Sequence, residues 1–306
     1  MSPRSRTSLG DPFPAYWPFM AHRYLFVDGN YLDRAYTDLL TQFMGNPGDL
    51  DLPKLVSVPI GREPDRVYYY NSLDDERRQG ETEDAFKVRV EADLARFDAI
   101  AAIPKFHVRL GSVSGRTLKR RRQKQVDVQL AVDALTHAFN KNMQTAVFIA
   151  GDLDFKPLVD SLVSLGVFVE VIYERTSAAR ELYRSADFST ALNHVAAWNW
   201  STRAYVKENP LPIHGLGQPE TIAENNGTDV IAVGNLLGAH AKAARETGGG
   251  RYIVWVAGAS GREQFSCIHK RFETIEAFIR SQYGVGVEWA RGRELLPGNK
   301  LPPWGD

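Results

Sequence analysis

Short apolar runs that end in an acid or a glycine, separated by segments with helical spacing, predict an α/β protein. Its main domain should hold a mainly parallel sheet, with a smaller C-terminal α/β or α+β module behind it. Three observations carry this. The candidate strands are continuous apolar runs, as expected where helices cover both faces of a sheet. The segments between them are long enough for crossover helices. Finally, residues 207–220 gather Pro210, Pro212, Gly215, Gly217 and Pro219, a linker composition that splits the chain.

The elements follow in order. Tyr24 to Asp28 (YLFVD) reads as the first strand, and Asn30 to Met44 as a helix with Leu32, Tyr36, Leu39, Leu40 and Phe43 on one side. Asn46, Pro47 and Gly48 should end that helix. Arg66 to Tyr70 is the second strand. Glu81 to Ile100 is a charged amphipathic helix with Phe86, Val90, Leu94 and Phe97 on one side, and Phe106 to Leu110 is the third strand. Gly111 to Lys124 reads as a polar, basic loop, and Val126 to Phe139 as a helix. Ala146 to Ala150 is the fourth strand, Phe155 to Leu165 a helix and Val167 to Tyr173 the fifth strand. Beyond the linker, Val230 to Ala244 reads as a helix or a strand leading into one. Tyr252 to Ala257 is a strand, His269 to Tyr283 a helix and Val285 to Trp289 a short strand. The expected organisation is a flexible leader over residues 1–20, a main domain over 21–198, a linker over 199–220 and a module over 221–306.

Composition narrows the function classes. The chain has 306 residues, 43% hydrophobic and 24% charged, which excludes a mostly disordered chain, a collagen and a coiled-coil rod. Lys plus Arg and Asp plus Glu each number 37, so any nucleic-acid-binding surface must be a local basic patch. The one cysteine, Cys267, rules out an intramolecular disulfide and a cysteine-based zinc site. It fits a reducing compartment, and the expected location is cytoplasmic. No apolar stretch reaches the roughly 20 residues of a membrane span, and Pro12, Pro14 and Pro18 break any signal-peptide core.

The candidate chemistry sits where strands end. Asp28 closes the first strand, and Asp152 follows the fourth in Gly151-Asp-Leu-Asp-Phe155. In an open parallel sheet, ligands bind at the carboxyl ends of strands where strand order reverses. If the first and fourth strands are neighbours there, Asp28 and Asp152 face one crevice, and a tight turn can bring Asp154 to the same place. Clustered carboxylates raise one another's pKa, and a divalent cation resolves that conflict. Asp127, where the basic loop is expected to turn into a helix, is the fourth acid, favoured there by the helix dipole. Asp133, six residues on, should lie on another face as a supporting group. The basic run includes Arg121, Arg122 and Lys124 and has no acid, so it suits phosphate contacts. It also has no aromatic residue, so base stacking must come from elsewhere. Taken singly, each aspartate is more simply a turn or helix cap and the basic run a solvated loop. Two acids ending two apolar strands, with a third beside one of them, are harder to explain as caps. None of the histidines forms an i, i+4 ligand pair. Gly258-Ala-Ser-Gly261 lacks the lysine and spacing of a phosphate-binding loop.

Three blocks, Phe26-Val-Asp-Gly-Asn30, Gln125-Val-Asp-Val-Gln-Leu-Ala-Val-Asp133 and Ile149-Ala-Gly-Asp-Leu-Asp-Phe155, resemble the signature blocks of the NYN domain, a branch of the PIN-like nucleases. The chain is most similar to the bacterial LabA-like group over about residues 21–195, where the blocks keep the family's order. Gln125 stands where many relatives carry Lys-Gly, a departure that bears on the loop's contact with substrate more than on the acid. The resemblance implies a three-layer α/β fold and divalent-metal-dependent RNA cleavage. It implies Asp28, Asp127, Asp152 and Asp154 as catalytic acids and ligands of Mg²⁺ or Mn²⁺. Asn30 would position the loop or touch substrate; from the basic run itself, Arg121, Arg122 and Lys124 would hold flanking phosphates, with Asp133 as a supporting group. Two rivals stay open: a non-catalytic RNA-binding or regulatory module, and a small-substrate phosphoryl-transfer enzyme. In the C-terminal module, Val233 to Leu237 and Phe278 to Gly284 resemble winged-helix RNA-binding modules, which the strand Tyr252 to Ala257 fits poorly. A domain for self-association or for a protein partner is the other reading.

Overall fold

The computed structural model of the protein describes residues 22–74, 77–111, 119–215, 228–248, 250–257 and 264–290. The expected leader and the Gly258 to Gly261 turn lie outside the described residues. The described residues divide into two units, those up to Tyr36 with Leu50–Leu192, and Thr37–Asp49 with those from Asn193 onward.

The first unit is a six-stranded, wholly parallel sheet: β1 (Arg23–Asp28), β2 (Arg66–Asn71), β3 (Phe106–Leu110), β4 (Thr145–Ile149), β5 (Phe168–Tyr173) and β6 (Phe188–Ala191). Strand order is β3-β2-β1-β4-β5-β6. The connecting helices are α1 (Gly29–Met44), the short α2 (Lys54–Ser57), α3 (Glu83–Ala101), α4 (Lys119–Phe139), α5 (Lys156–Ser164) and α6 (Arg180–Ser185). Succession runs outward from β1 to β3, then returns to the centre and runs from β4 to β6. The switch point therefore lies between β1 and β4, where Val27 pairs with Ile149. This is the adjacency on which the shared crevice depended.

Period-two alternation sorts the strand side chains. Tyr24, Phe26, Tyr68, Tyr70, Phe148, Val169 and Val171 form one cluster with Val126 and Leu130 of α4, Leu158 and Leu162 of α5, and Leu182 of α6. Their neighbours Leu25, Val27, Val67, Tyr69, Val147 and Ile149 are buried as well. Burial on both sides explains why these strands read as unbroken apolar runs. One charged pair is buried with them. The Arg23 guanidinium donates to Glu170 at 2.6 Å, with both side chains almost wholly buried, and the Thr190 hydroxyl donates to the other Glu170 oxygen at 3.1 Å.

Several expectations need correction. The segment expected to be a basic loop up to Lys124 is helical from Lys119. Residues 119–139 contain no proline or glycine and begin with strong helix formers, so nothing local stops the helix. Asp127 thus lies more than two turns inside α4, and the dipole argument for its position falls away. In α3, Phe97 and Ile100 are buried, but Leu94 is 41% exposed, so the apolar side is shorter than its spacing implied. Thr82 caps that helix by accepting the Ala85 N–H at 3.2 Å.

The second unit carries an antiparallel sheet in the order β12-β8-β9-β10-β11-β7. Its strands are β7 (Ile213–Gly215), β8 (Thr228–Leu236), β9 (Ala239–Glu246), β10 (Tyr252–Ala257), β11 (Gln264–His269) and β12 (Glu288–Trp289). Helices α7 (His194–Asn199) and α8 (Arg203–Glu208) precede it, and α9 (Phe272–Tyr283) buries Phe272, Ile275, Phe278 and Ile279. So part of the segment expected to be linker forms α8 and β7. The stretch read as a helix or a strand leading into one is a hairpin, β8 and β9. A six-stranded antiparallel sheet is not winged-helix architecture, which removes that reading of the module. Cys267 is fully buried in β11, and burial pushes its thiol up to about 12. Among the described residues no helix is long and apolar enough to cross a membrane.

Removing one partner of the Arg23–Glu170 pair leaves an unpaired buried charge. Glu170→Ala should destabilise the protein by about 3–5 kcal/mol, whereas the double replacement Arg23→Met with Glu170→Leu should be close to neutral. Urea unfolding of the three proteins checks this. Equal destabilisation by the double replacement would show that the charges themselves are needed.

Candidate active site

The carboxyl edge of β1 and β4 is built around two turns. After β1, Asp28 accepts the Tyr31 N–H at 3.0 Å, which caps the start of α1. After β4, Asp152 accepts the Asp154 N–H at 3.0 Å and caps a 3₁₀ turn over Leu153–Phe155. Both aspartates therefore do the capping work expected of an isolated strand-end acid. One feature of Asp28 goes beyond capping. Burial raises the Asp28 pKa above the ordinary carboxylate value; the Tyr31 and Asn30 N–H groups and the Arg34 charge oppose this, and the Asp152 charge adds to it. The Asp152 charge is the smallest of these influences, and burial is the largest.

Tyr31 ties the two turns together. Its ring lies against Gly151, where an added β-carbon would stand 2.2 Å from the ring atom Cε2. Its hydroxyl accepts the Glu174 N–H at 2.7 Å, and the Ser177 hydroxyl lies 3.5 Å away. The Ala179 N–H donates to the Gly151 carbonyl at 2.9 Å, which holds the chain before α6 against the Asp152 turn. Gly29 meets the same kind of constraint, since a β-carbon there would come within 2.6 Å of the Tyr69 ring and hydroxyl. The glycines beside both acids are thus fixed by aromatic neighbours. The sequence reading missed Tyr31, though an aromatic three residues past a strand-end acid was visible.

The other candidates are distributed as follows. Asp154 is exposed in the 3₁₀ turn, and Asp127 is half-buried on α4. Asn30 is exposed, with its side-chain amide 3.4 Å from the Ser72 hydroxyl. Asp133 accepts the Tyr70 hydroxyl at 3.0 Å and Arg109 Nε at 3.2 Å. Burial, with the Asp133 carboxylate next to it, pushes the Tyr70 phenol far above its ordinary value. The side chains of Arg121, Arg122 and Lys124 lie outside the described part of α4. A cation that sequence reading missed does stand at the site: Arg34 lies 5.9 Å over the Tyr31 ring, and its charge bears on Asp28. Glu174, just after β5, is a third strand-end acid. Burial would raise it, but the Thr176 and Ser177 donors that saturate it outweigh that and lower its pKa, so it serves its own turn.

Among the described residues no group of three or more His, Cys, Asp or Glu side chains is arranged to hold a metal ion. The pair Asp28 and Asp152 still fits a hard cation. Mg²⁺ is commonly bound through one or two carboxylates, with waters and substrate phosphates filling the remaining positions, and a cation there would offset the burial that raises the Asp28 pKa. A cavity of about 430 Å³ lined by His22, Tyr24, Asp65, Arg66, Lys141 and Asn142 opens where β1 and β2 begin, at the opposite edge from these acids.

The coupling has a sign that can be measured. In carboxylate NMR titrations without divalent metal, the Asp28 pKa should fall in Asp152→Asn and rise in Arg34→Gln; no movement in Asp152→Asn would separate the two acids. A raised native pKa means that stability is full below the unfolded value and is lost as pH rises through the native value. Asp28→Asn keeps an acceptor for the Tyr31 N–H and carries no charge. It should match the native protein below pH 4 and melt higher at pH 7, as thermal scans across that range will report.

The NYN domain family profile matches residues 24–193. No curated protein matches the chain. Among solved structures, a protein of unknown function from Vibrio parahaemolyticus is similar, with 17% identity and a TM-score of 0.41 over 56% of this chain and 93% of that one. With more than half of its length matched by that profile, and with strand-end acids at the switch point of a parallel sheet, this chain belongs to the NYN domain family, a branch of the PIN-like nucleases.

Proposed function

We propose that the protein is a divalent-metal-dependent ribonuclease that hydrolyses RNA phosphodiester bonds at the carboxyl edge of β1 and β4. The observation that supports this reading is the placement of Asp28 and Asp152 at the carboxyl ends of the adjacent strands β1 and β4, in a chain of the NYN family. Asp28 and Asp152 would hold Mg²⁺ or Mn²⁺, with Asp154 and Asp127 as the further acids that the family resemblance supplies. Bound there, the cation would lower the pKa of a water and offset charge on a phosphoryl oxygen.

The chain's own groups do the rest. Asp28, held by the Tyr31 and Asn30 N–H groups, presents a fixed carboxylate. Asp152 is fixed by the Asp154 N–H and remains exposed to substrate. Arg34 offers a guanidinium to a phosphate beside the pair, and Arg121, Arg122 and Lys124 on the opening turns of α4 would take flanking phosphates. Asn30, at the mouth of the site, would contact the strand being cut, and Asp133 would hold Tyr70 and Arg109 in place behind it.

Purified protein incubated with labelled single-stranded and hairpin RNA should cleave in Mn²⁺ or Mg²⁺ and not in EDTA. Asp152→Asn should lose on the order of 10²–10⁴-fold in rate while melting normally. Undiminished cleavage by that variant would remove Asp152 from the chemistry. A non-catalytic RNA-binding role has one observation in its favour, that the described residues gather no three-ligand group. Metal-independent RNA binding without product over long incubation would favour it.

A further inference from the structure

A nuclease acting on single-stranded RNA needs an aromatic surface for bases, and the basic stretch before Asp127 has none. The structure supplies a candidate at the end of β5. Tyr173 and Tyr183 stack with ring centroids 3.9 Å apart and planes 11° from parallel. Both rings pack against the cluster beneath α4, α5 and α6, and both stay partly exposed.

Their position relative to the acids follows from the sheet. Tyr173 is the last residue of β5 and shares a face with Val169 and Val171. Asp28 is the last residue of β1 and by the same alternation shares a face with Tyr24 and Phe26. All four apolar residues belong to one cluster, so Asp28 and Tyr173 stand on the same side of the sheet at the same edge. Only β4 lies between their strands, a separation of about 10 Å at two strand spacings. Tyr183 reaches Tyr173 from α6, and the chain just before α6 is tied to the Asp152 turn through the Ala179 N–H and the Gly151 carbonyl. Arg180, exposed and three residues before Tyr183 on the same helix, lies on the neighbouring surface and carries a charge suited to phosphate.

We infer that Tyr173 and Tyr183 form a nucleobase-stacking platform that grips the RNA strand beside the scissile phosphate. The inference rests on the ribonuclease reading for its ligand. Stacking on a π-face is tolerant of base identity, so the platform would grip single strands with little sequence preference and would not engage a paired, stacked base. It is a binding device and touches no reacting atom.

The test is equilibrium binding by fluorescence anisotropy of a single-stranded RNA of roughly twelve nucleotides, within the usual site sizes of single-strand binders. Two conditions prevent turnover: EDTA with native Asp152, and Mg²⁺ with Asp152→Asn. An abasic nucleotide is moved along the strand one position at a time. One position should weaken binding about 5-fold or more, the lower end of what a stacked base contributes. Tyr183→Leu, which keeps an apolar side chain, should weaken the intact strand by a similar factor and be insensitive to that abasic position. Tyr183→Phe should bind as the native protein does. A flat abasic scan, which needs no tyrosine variant, would overturn the platform, and so would native affinity in Tyr183→Leu. If RNA binds tightly in those cases, the ribonuclease reading stands without the platform. No RNA binding under either condition would overturn both.

Discussion

The wedge of Tyr31 between two strand-end turns is the constraint on which the carboxyl edge depends. A parallel sheet with reversed strand order leaves a gap between β1 and β4, because their following helices depart to opposite sides. Tyr31 fills that gap with its ring against Gly151 and fastens the β5–α6 connection with its hydroxyl. One side chain thus sets the mutual position of three turns, those after β1, β4 and β5. The residue it meets on β4's turn must be glycine for the ring to come that close. The acids are placed by this packing as much as by their own hydrogen bonds.

The electrostatics of the site run against stability. Asp28 is largely withdrawn from water, faces a second carboxylate and is only partly relieved by Arg34 and two backbone N–H groups. A fold selected for stability alone would place an asparagine there, since an amide caps α1 equally well. Keeping an ionisable group where its charge is disfavoured is typical of sites that perform chemistry or bind a cation. The buried Arg23–Glu170 pair is the opposite arrangement: its charges are mutually satisfied inside the same sheet and take no part in the edge.

Much of the first unit was legible in the sequence. Strands β1 to β5 are buried on both faces, so their apolar runs stand out, and the acids follow directly as strand ends. Strand β6 was not legible: Phe188-Ser-Thr-Ala191 is a half-buried edge strand with no apolar run. The hairpin β8–β9 was misread because Ala239-His-Ala-Lys-Ala-Ala-Arg-Glu246 is rich in helix formers and becomes a strand through pairing on both sides, with β8 and β10. The extension of α4 back to Lys119 was missed because basic residues in series look like loop, although lysine, arginine and glutamine all favour helix. At the candidate site, the strand-end positions of Asp28 and Asp152 were readable. Tyr31 and Arg34 were not, because their importance comes from which turns their side chains meet across the sheet.

Helix α1 is one continuous element, yet its residues divide between two packing units after Tyr36. Its last turns, with the following residues to Asp49, pack with the chain beyond Leu192, where the Thr274 hydroxyl donates to the Phe43 carbonyl and the Tyr205 hydroxyl to Asn46. The stretch that carries the family signature is therefore not self-contained: a fragment ending near residue 193 would keep every strand-end acid and strip the Phe43 carbonyl of the Thr274 hydroxyl and the Asn46 side chain of the Tyr205 hydroxyl. Exchanging the chain beyond Leu192 would therefore also change what meets the residues from Thr37 to Asp49.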